Sequence, residues 1–178
     1  MARRPPTLAA GVFLVALLQA PGVRAHTPPP FLAALSLGGT VGEYRGPTLD
    51  LELDFGGRGQ YFGLILEGGG GYNSDRNGVA MTGVSLGWRG MFGSARVKPI
   101  VFLGAFSSFE HEFEGDRSYQ YALGGGRASA GVSFFVNLRF SIGGELGGTA
   151  GYRYQLSGPF ADYSGFASSF EGRLRMTF

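Results

Sequence analysis

The sequence predicts an all-β chain: an antiparallel up-and-down transmembrane β-barrel, most simply of eight strands. Apolar and polar residues alternate with a period of two along most of the chain, which is the side-chain period of a strand. Short segments rich in Gly, Asn, Asp and Pro interrupt this alternation and indicate turns. Beyond the N-terminal region no segment stays apolar for 18 residues, so the sequence predicts no transmembrane helix.

Residues 1–25 have the layout of a secretory signal peptide, which we expect to be removed. Arg3 and Arg4 precede an apolar run, and Val23 and Ala25 stand at the small-residue cleavage positions. The apolar run is too short to cross a bilayer as a helix, which takes about 20 residues. Export through the general secretory pathway follows from this interpretation.

The remaining chain is predicted to comprise a proline-rich lead-in at 26–30 and one barrel domain at 31–178. The chain has no cysteine, so a disulfide framework or thiolate metal site is excluded. Three of its 15 basic residues lie in the signal peptide, so the rest is nearly neutral against 13 acidic residues. This balance gives no indication of a nucleic-acid partner.

Eight segments have the character of strands. The clearest is 49–55, where Leu and Phe occupy one face and Asp50, Glu52 and Asp54 occupy the other. A helix would scatter these residues, whereas a strand separates them. In 97–109 the two faces cannot be distinguished. The predicted strands are 31–42, 49–55, 60–72, 79–90, 97–109, 119–135, 138–155 and 166–178.

The predicted connections roughly alternate between short and longer ones, as in membrane barrels with tight turns on one side and loops on the other. The longer set includes 42–47, although this one is short for its class, and 111–118. All the connections are 42–47, 56–59, 73–78, 91–96, 111–118, 135–137 and 156–165.

The polar faces of these strands are predicted to line the barrel interior. They carry Gly, Ser, Thr, Arg and Glu, and small residues fit the narrow lumen of an eight-stranded barrel. Six acidic and six basic side chains fall on these faces, a balance that a desolvated lumen requires. The predicted lumen network consists of Asp50, Glu52, Asp54, Glu67, Glu145, Glu171, Arg89, Arg127, Arg139, Arg153, Arg173 and Arg175. A soluble lipocalin-like barrel with an apolar ligand cavity is the alternative fold.

The chain ends in EGRLRMTF, with Phe178, Met176, Leu174 and Phe170 at alternating positions. This segment resembles the C-terminal strand of bacterial outer-membrane barrel proteins, and the length resembles that of the small OmpA/OmpX type. The resemblance implies a Gram-negative outer membrane and recognition of these four residues by the barrel assembly machinery. It also implies contact with lipid and lipopolysaccharide, and a monomer.

The same resemblance implies aromatic girdles at the two membrane interfaces. On the periplasmic side the girdle would contain Trp88, Phe92, Phe134, Phe135 and Phe178. On the external side it would contain Tyr72, Phe109, Tyr152 and Tyr154.

One segment carries several side chains that could bind a metal ion. Glu110, His111, Glu112, Glu114 and Asp116 fall in a predicted external loop, where their carboxylates could hold a divalent cation. The spacing matches neither a zinc-protease nor a calcium-loop motif. A solvated loop, bridged loosely by cations to lipopolysaccharide, is the favoured interpretation.

Four functions are compatible with these features, and the favoured one is a non-enzymatic structural or surface-interaction role in the cell envelope. No catalytic residue, cofactor site or metal site is predicted. A small-solute channel, like a porin, requires an incompletely filled lumen. A lipid A or phospholipid hydrolase would need His111 beside Ser107 or Ser108, with Glu110 as the acidic partner. A soluble ligand-binding barrel is the fourth.

Overall fold

The computed structural model describes residues 28–42, 44–93, 96–158 and 164–178. The predicted signal peptide lies outside the described residues. No helix in this part of the chain is long and apolar enough to cross a membrane.

The described chain forms a closed antiparallel barrel in which each strand pairs with the next and the last pairs with the first. The predicted fold class is therefore confirmed. The strands are β1 (Phe31–Gly42), β2 (Tyr44–Gly57), β3 (Gln60–Asn73), β4 (Gly78–Met91), β5 (Val97–Glu114), β6 (Arg117–Phe135), β7 (Ser141–Ser157) and β8 (Gly165–Thr177).

We call the end of the barrel that holds Phe31 and Phe178 the terminal end, and the opposite end the far end. The barrel closes where β8 pairs with β1, from Ala34 opposite Thr177 to Gly42 opposite Ser169. Ala33 and Phe178 also exchange backbone hydrogen bonds of 3.2 and 2.8 Å. Closure leaves no unpaired sheet edge, which a barrel in lipid requires.

Two predicted connections are mostly strand. Most of 42–47 belongs to β2, and most of 111–118 belongs to β5 and β6, which pair up to Glu114 opposite Arg117. Gly115, at φ 58°, makes the turn between them. The predicted long connections at these two places are therefore wrong, because their turn-forming residues sit within paired strands.

The outer surface is apolar and the interior is polar. Leu37, Leu174 and Phe170 are 61%, 68% and 58% exposed on the outside, whereas the side chains of Asp50 and Glu52 are buried. A soluble barrel has the reverse polarity. The lipocalin-like alternative therefore does not describe this chain.

The terminal end of the lumen departs from this polarity, as do two smaller buried clusters toward the far end: Tyr119, Tyr121, Leu123 and Ala167, and Tyr44, Val79 and Met81. In β5 the inward side chains include Ile100 and Phe102, while Val101 and Leu103 point outward. Both faces are thus apolar here, which is why the sequence of 97–109 could not be divided into two faces. Ile100 belongs to a buried apolar cluster, which we call the plug: Leu32, Tyr61, Met91, Ile100 and Phe135.

Candidate functional site: the lumen charge network

The middle of the lumen contains two tiers of ion pairs. The lower tier lies next to the plug, and its arginines are Arg89 and Arg175. Arg89 contacts Glu52 at 2.6 Å, Asp54 at 3.2 Å and Glu145 at 2.6 Å. Arg175 contacts Glu52 and Asp54, each at 2.7 Å. Three carboxylates thus surround these two guanidinium groups, and Arg173 also reaches Glu145 at 3.4 Å and Glu52 at 3.8 Å.

The upper tier lies farther from the plug, and its arginines are Arg127 and Arg173, of which Arg173 links the two tiers. Arg127 contacts Glu67 at 2.7 Å and also pairs with Glu171. Arg173 contacts Asp50 at 2.9 Å and Glu171 at 3.6 Å. Four of these five side chains are buried, and that of Glu67 is 13% exposed.

Alternation alone positions these groups. Asp50, Glu52 and Asp54 are every second residue of β2, and Arg173 and Arg175 are the matching pair on β8. β1 lies between these strands and carries small inward residues. Gly38 is one of them, and a Cβ added there would lie 2.6 Å from Cγ of Arg173. The small residues of β1 therefore leave space for charges from both sides to meet.

Hydroxyl groups complete both tiers. Ser36 donates to Glu52 at 2.6 Å, and Ser129 donates to Glu145 at 2.8 Å. Arg127 donates to the Ser85 hydroxyl at 3.0 Å. Small polar residues of the inward face therefore provide further hydrogen-bond partners for both the carboxylates and the arginines, as buried polar groups require.

The two tiers do not contain the equal numbers of acidic and basic side chains that were predicted for the lumen. Arg139 does not reach the lumen: it is exposed in the 136–140 turn. The Asn137 side chain accepts hydrogen bonds from the backbone N–H groups of Arg139 and Phe140, both at 2.8 Å, and this local turn delays β7 until Ser141. Placing Arg139 in the lumen was therefore wrong.

Arg153 lies at the far end, away from both tiers. Its guanidinium carbon is 3.5 Å from the ring centre of Tyr121, and it contacts Glu110 at 3.2 Å and Glu112 at 3.5 Å. Glu112 also accepts hydrogen bonds from Asn73, at 2.6 Å, and Asn77, at 2.9 Å.

This arrangement separates the residues of the predicted cation loop. Glu110 and Glu112 point into the lumen, whereas His111 lies on the outer face and stacks on Phe113. Glu114 and Asp116 are exposed at the hairpin tip. In the part of the chain that the structure describes, no three acidic or histidine side chains are grouped to hold a metal ion. The loop hypothesis fails because the segment is a strand, whose neighbours face opposite ways.

The predicted hydrolase residues are also separated. Ser108 points inward, and Ser107 and His111 lie on the outer face of β5, four residues apart. At about 3.3 Å per residue this spacing is far beyond hydrogen-bond reach. The structure therefore forms no serine–histidine pair at this position.

Lys98 and Phe135 were missed as lumen residues. Lys98 is buried at the terminal end, where its ammonium donates to the Gly93 carbonyl at 2.6 Å and lies 6.0 Å from the ring centre of Phe135. Phe135 was assigned to the periplasmic girdle, which is wrong, since it is fully buried. The period of two already sets Phe134 and Phe135 on opposite faces.

The remaining girdle and assembly residues lie on the outside, where they were predicted. Trp88, at the terminal end, donates to Gln60 at 2.6 Å and packs near Phe92. The outward residues are Trp88, Phe92, Phe134, Phe178, Tyr72, Phe109, Tyr152, Tyr154, Met176, Leu174 and Phe170.

A cavity of about 30 Å³ separates the upper tier from the side chains of the far end. This is room for one or two water molecules. Its lining mixes apolar side chains with polar ones, which include Tyr44, Glu67, Ser85, Glu110 and Glu171.

The fold has known counterparts, although no family model matches the sequence and no curated protein matches it. The crystal structure of Neisserial surface protein A superimposes with a TM-score of 0.62 at 12% identity, covering 83% of this chain and 94% of that one. The N-terminal β-barrel domain of Pseudomonas aeruginosa OprF gives 0.55 at 13% identity, covering 85% and 99%. The chain has the eight-stranded barrel fold of these outer-membrane proteins.

Proposed function

We propose that the chain is an integral protein of a bacterial outer membrane with a non-enzymatic structural or surface-interaction role. The observation that carries this proposal is the polarity of the barrel: large apolar side chains cover its outside, and ion pairs fill its interior. Contact between such an exterior and water is unfavourable, whereas contact with lipid acyl chains is favourable.

The packing of the lumen supports a barrel that does not conduct ions. The plug residues are at most 4% exposed. Immediately above them the lower tier crosses the lumen from Arg89 of β4 to Glu145 of β7 at 2.6 Å. An ion would have to pass both the plug and the ion pairs, so the channel alternative is not favoured.

The outer face of β8 supports assembly by the barrel machinery. Phe170, Leu174, Met176 and Phe178 form an apolar row there, interrupted only at Gly172. A machinery that reads a terminal strand could bind this row before β8 pairs with β1. We propose outer-membrane lipid and lipopolysaccharide as the partners of the mature surface.

Electrophoretic mobility tests the membrane barrel. The chain folded in detergent micelles should migrate differently before and after boiling, because a closed barrel resists detergent until it is heated. A matched variant, Leu37→Arg, places a charge on the lipid face and should reduce folding into vesicles, with a cost of about 2–4 kcal/mol at the membrane centre. A chain that stays soluble without detergent and shows no heat-dependent shift would contradict the proposal.

Conductance tests the closed lumen. In a planar bilayer the wild-type chain should give no sustained current, and the plug variant Phe135→Ala should remain closed because the lower tier still spans the lumen. Regular single-channel steps from the wild-type chain would instead support the channel.

A further inference from the structure

We propose that the turns at the terminal end of the barrel dock on an anionic lipid surface, formed by the phosphate headgroups of the membrane leaflet on that side. Arg58, Arg96 and Arg139, one in each turn of this end, would make the contact. The inference rests on the proposed location of the chain in a membrane, and it adds the class of lipid that the barrel prefers there.

Each connection at the terminal end contains one arginine and no acidic residue. The three connections span 58–59 between β2 and β3, 92–96 between β4 and β5, and 136–140 between β6 and β7. The turns are two strands apart around the rim, which is roughly 10 Å, because neighbouring strands lie about 4.8 Å apart. A broad anionic surface therefore fits the three arginines better than one small anion does.

The three arginine side chains are exposed and have no acidic partner. Within the described ranges, none of Arg58, Arg96 and Arg139 contacts a carboxylate. The arginines of the lumen differ, since Arg89 and Arg175 each contact carboxylates at 2.6–2.7 Å. The turn guanidinium groups are therefore available to a partner outside the barrel.

The backbone around each turn arginine is fixed by hydrogen bonds. The Gly59 carbonyl accepts from a backbone N–H of β4 at 2.7 Å, and the Arg96 carbonyl accepts from a backbone N–H of β6 at 2.8 Å. The Asn137 side chain accepts from the Arg139 backbone N–H at 2.8 Å. Each turn thus presents a guanidinium group from a defined position, and a guanidinium can bind phosphate oxygens through two parallel hydrogen bonds.

Outward aromatic side chains indicate the depth of these turns in a membrane. Phe55 precedes the first turn, Trp88 and Phe92 precede Arg96, and Phe134 precedes the third turn, all on the outer face. Aromatic belts of membrane barrels lie at the interface between acyl chains and headgroups. An arginine a few residues beyond such a belt lies at the level of the lipid phosphates.

The far end of the barrel has a different charge pattern. Its hairpin tips carry exposed Asp75, Glu114 and Asp116 together with Arg76 and Arg117. Of the acidic side chains that the structure describes, all lie at the far end or in the lumen, and none is exposed at the terminal end. The terminal turns are therefore purely basic, and this charge is complementary to anionic lipid.

Urea unfolding of the chain folded into vesicles tests the docking surface. The wild-type chain should be more stable in phosphatidylcholine vesicles that contain phosphatidylglycerol than in pure phosphatidylcholine. Each arginine should raise the folding equilibrium constant about fivefold, and the three together about a hundredfold. High salt should reduce this gain by screening. Equal stability in the two vesicles would overturn the proposal and point to an acidic partner outside the membrane.

Glutamine variants assign the gain to the turns. The triple variant Arg58→Gln, Arg96→Gln, Arg139→Gln should lose the gain, and each single variant should lose about a fivefold share. In pure phosphatidylcholine all of them should unfold like the wild type, because the side chains are exposed. The control Arg76→Gln makes the same change in a far-end turn with the same left-handed backbone, at φ 66° against 55° for Arg58. It should keep the full gain, and a triple variant that also kept the full gain would overturn the proposal.

Two further measurements separate the possible causes. A heat-dependent gel shift from each vesicle type shows that the barrel has folded, and a chain without this shift would contradict the proposed membrane barrel together with the docking surface. A chain that shifts but is equally stable in both vesicles would contradict the docking surface alone. Soluble glycerol phosphate, added to pure phosphatidylcholine vesicles at constant ionic strength, should leave the stability unchanged. A gain as large as that from phosphatidylglycerol would mean that the arginines bind free phosphate, and would overturn the lipid surface.

Discussion

The two ends of the lumen differ although the same alternating strands build both. At the terminal end, β5 directs Ile100 and Phe102 inward, and the plug closes the barrel. Toward the far end the same face of β5 carries Ser108, Glu110 and Glu112, and a cavity remains. The period of a strand fixes only which residues face inward. The chemistry of those residues then decides whether that part of the lumen is apolar and closed to water or polar and able to hold it.

The difference between the ends predicts different costs for losing an arginine. Arg175→Met, in the lower tier, should lower the free energy of unfolding by about 3–5 kcal/mol, because it strands buried carboxylates. Arg153→Met, at the far end, should cost less, about 2 kcal/mol, since its side chain is 17% exposed and Glu112 keeps its hydrogen bonds from Asn73 and Asn77. Urea unfolding of the two variants in the same micelles measures both.

A double variant sharpens this prediction. Arg175→Met combined with Glu52→Gln should recover part of the loss, because the stranded negative charge is removed together with its partner. Equal losses for Arg175→Met and Arg153→Met would mean that the two ends are equally hydrated, and would break the comparison.

Matched leucine substitutions compare the apolar groups of the two ends. Leu32→Ala opens a hole in the fully buried plug and should cost about 3–4 kcal/mol, within the range for such cavities. Leu123→Ala enlarges a space that already exists beside the cavity and should cost about 2 kcal/mol. Thermal and urea unfolding would show which substitution lowers the free energy of unfolding more. A larger cost at Leu123 than at Leu32 would contradict a far end that is packed less tightly than the plug.

The smallest effect is expected at Arg139. Because its side chain is exposed in the 136–140 turn, Arg139→Gln should change the free energy of unfolding by about 0.5 kcal/mol or less. Arg127→Gln, the same change within the upper tier, provides the contrast by urea unfolding. A large loss at Arg139 would show that it joins the lumen charges after all.

The alternation of the sequence was sufficient to predict the barrel, its eight strands and most of the inward charges. Asp50, Glu52 and Asp54 could be assigned because a run of strict alternation has only one consistent pair of faces. Strand ends were less predictable, since the turn-forming residues of 42–47 and 111–118 continue the ladder.

Other features depended on contacts that one strand cannot reveal. The sharing of Glu52 between Arg89 of β4 and Arg175 of β8 is set by barrel closure. The excess of carboxylates emerged only once Arg139 was placed in a turn and Arg153 at the far end. Lys98 and the plug were missed because an apolar interior level removes the contrast between faces.

Trp88 offers the most direct test of the inverted barrel, because it is the only tryptophan of the chain and it lies on the outer face. The chain should be folded into vesicles whose lipids carry bromine near the headgroup end of the acyl chains, and its fluorescence compared with that in unbrominated vesicles. The structure predicts strong quenching by brominated lipid and weak quenching by aqueous iodide. Unchanged fluorescence in brominated lipid, with strong quenching by iodide, would contradict a lipid-facing exterior.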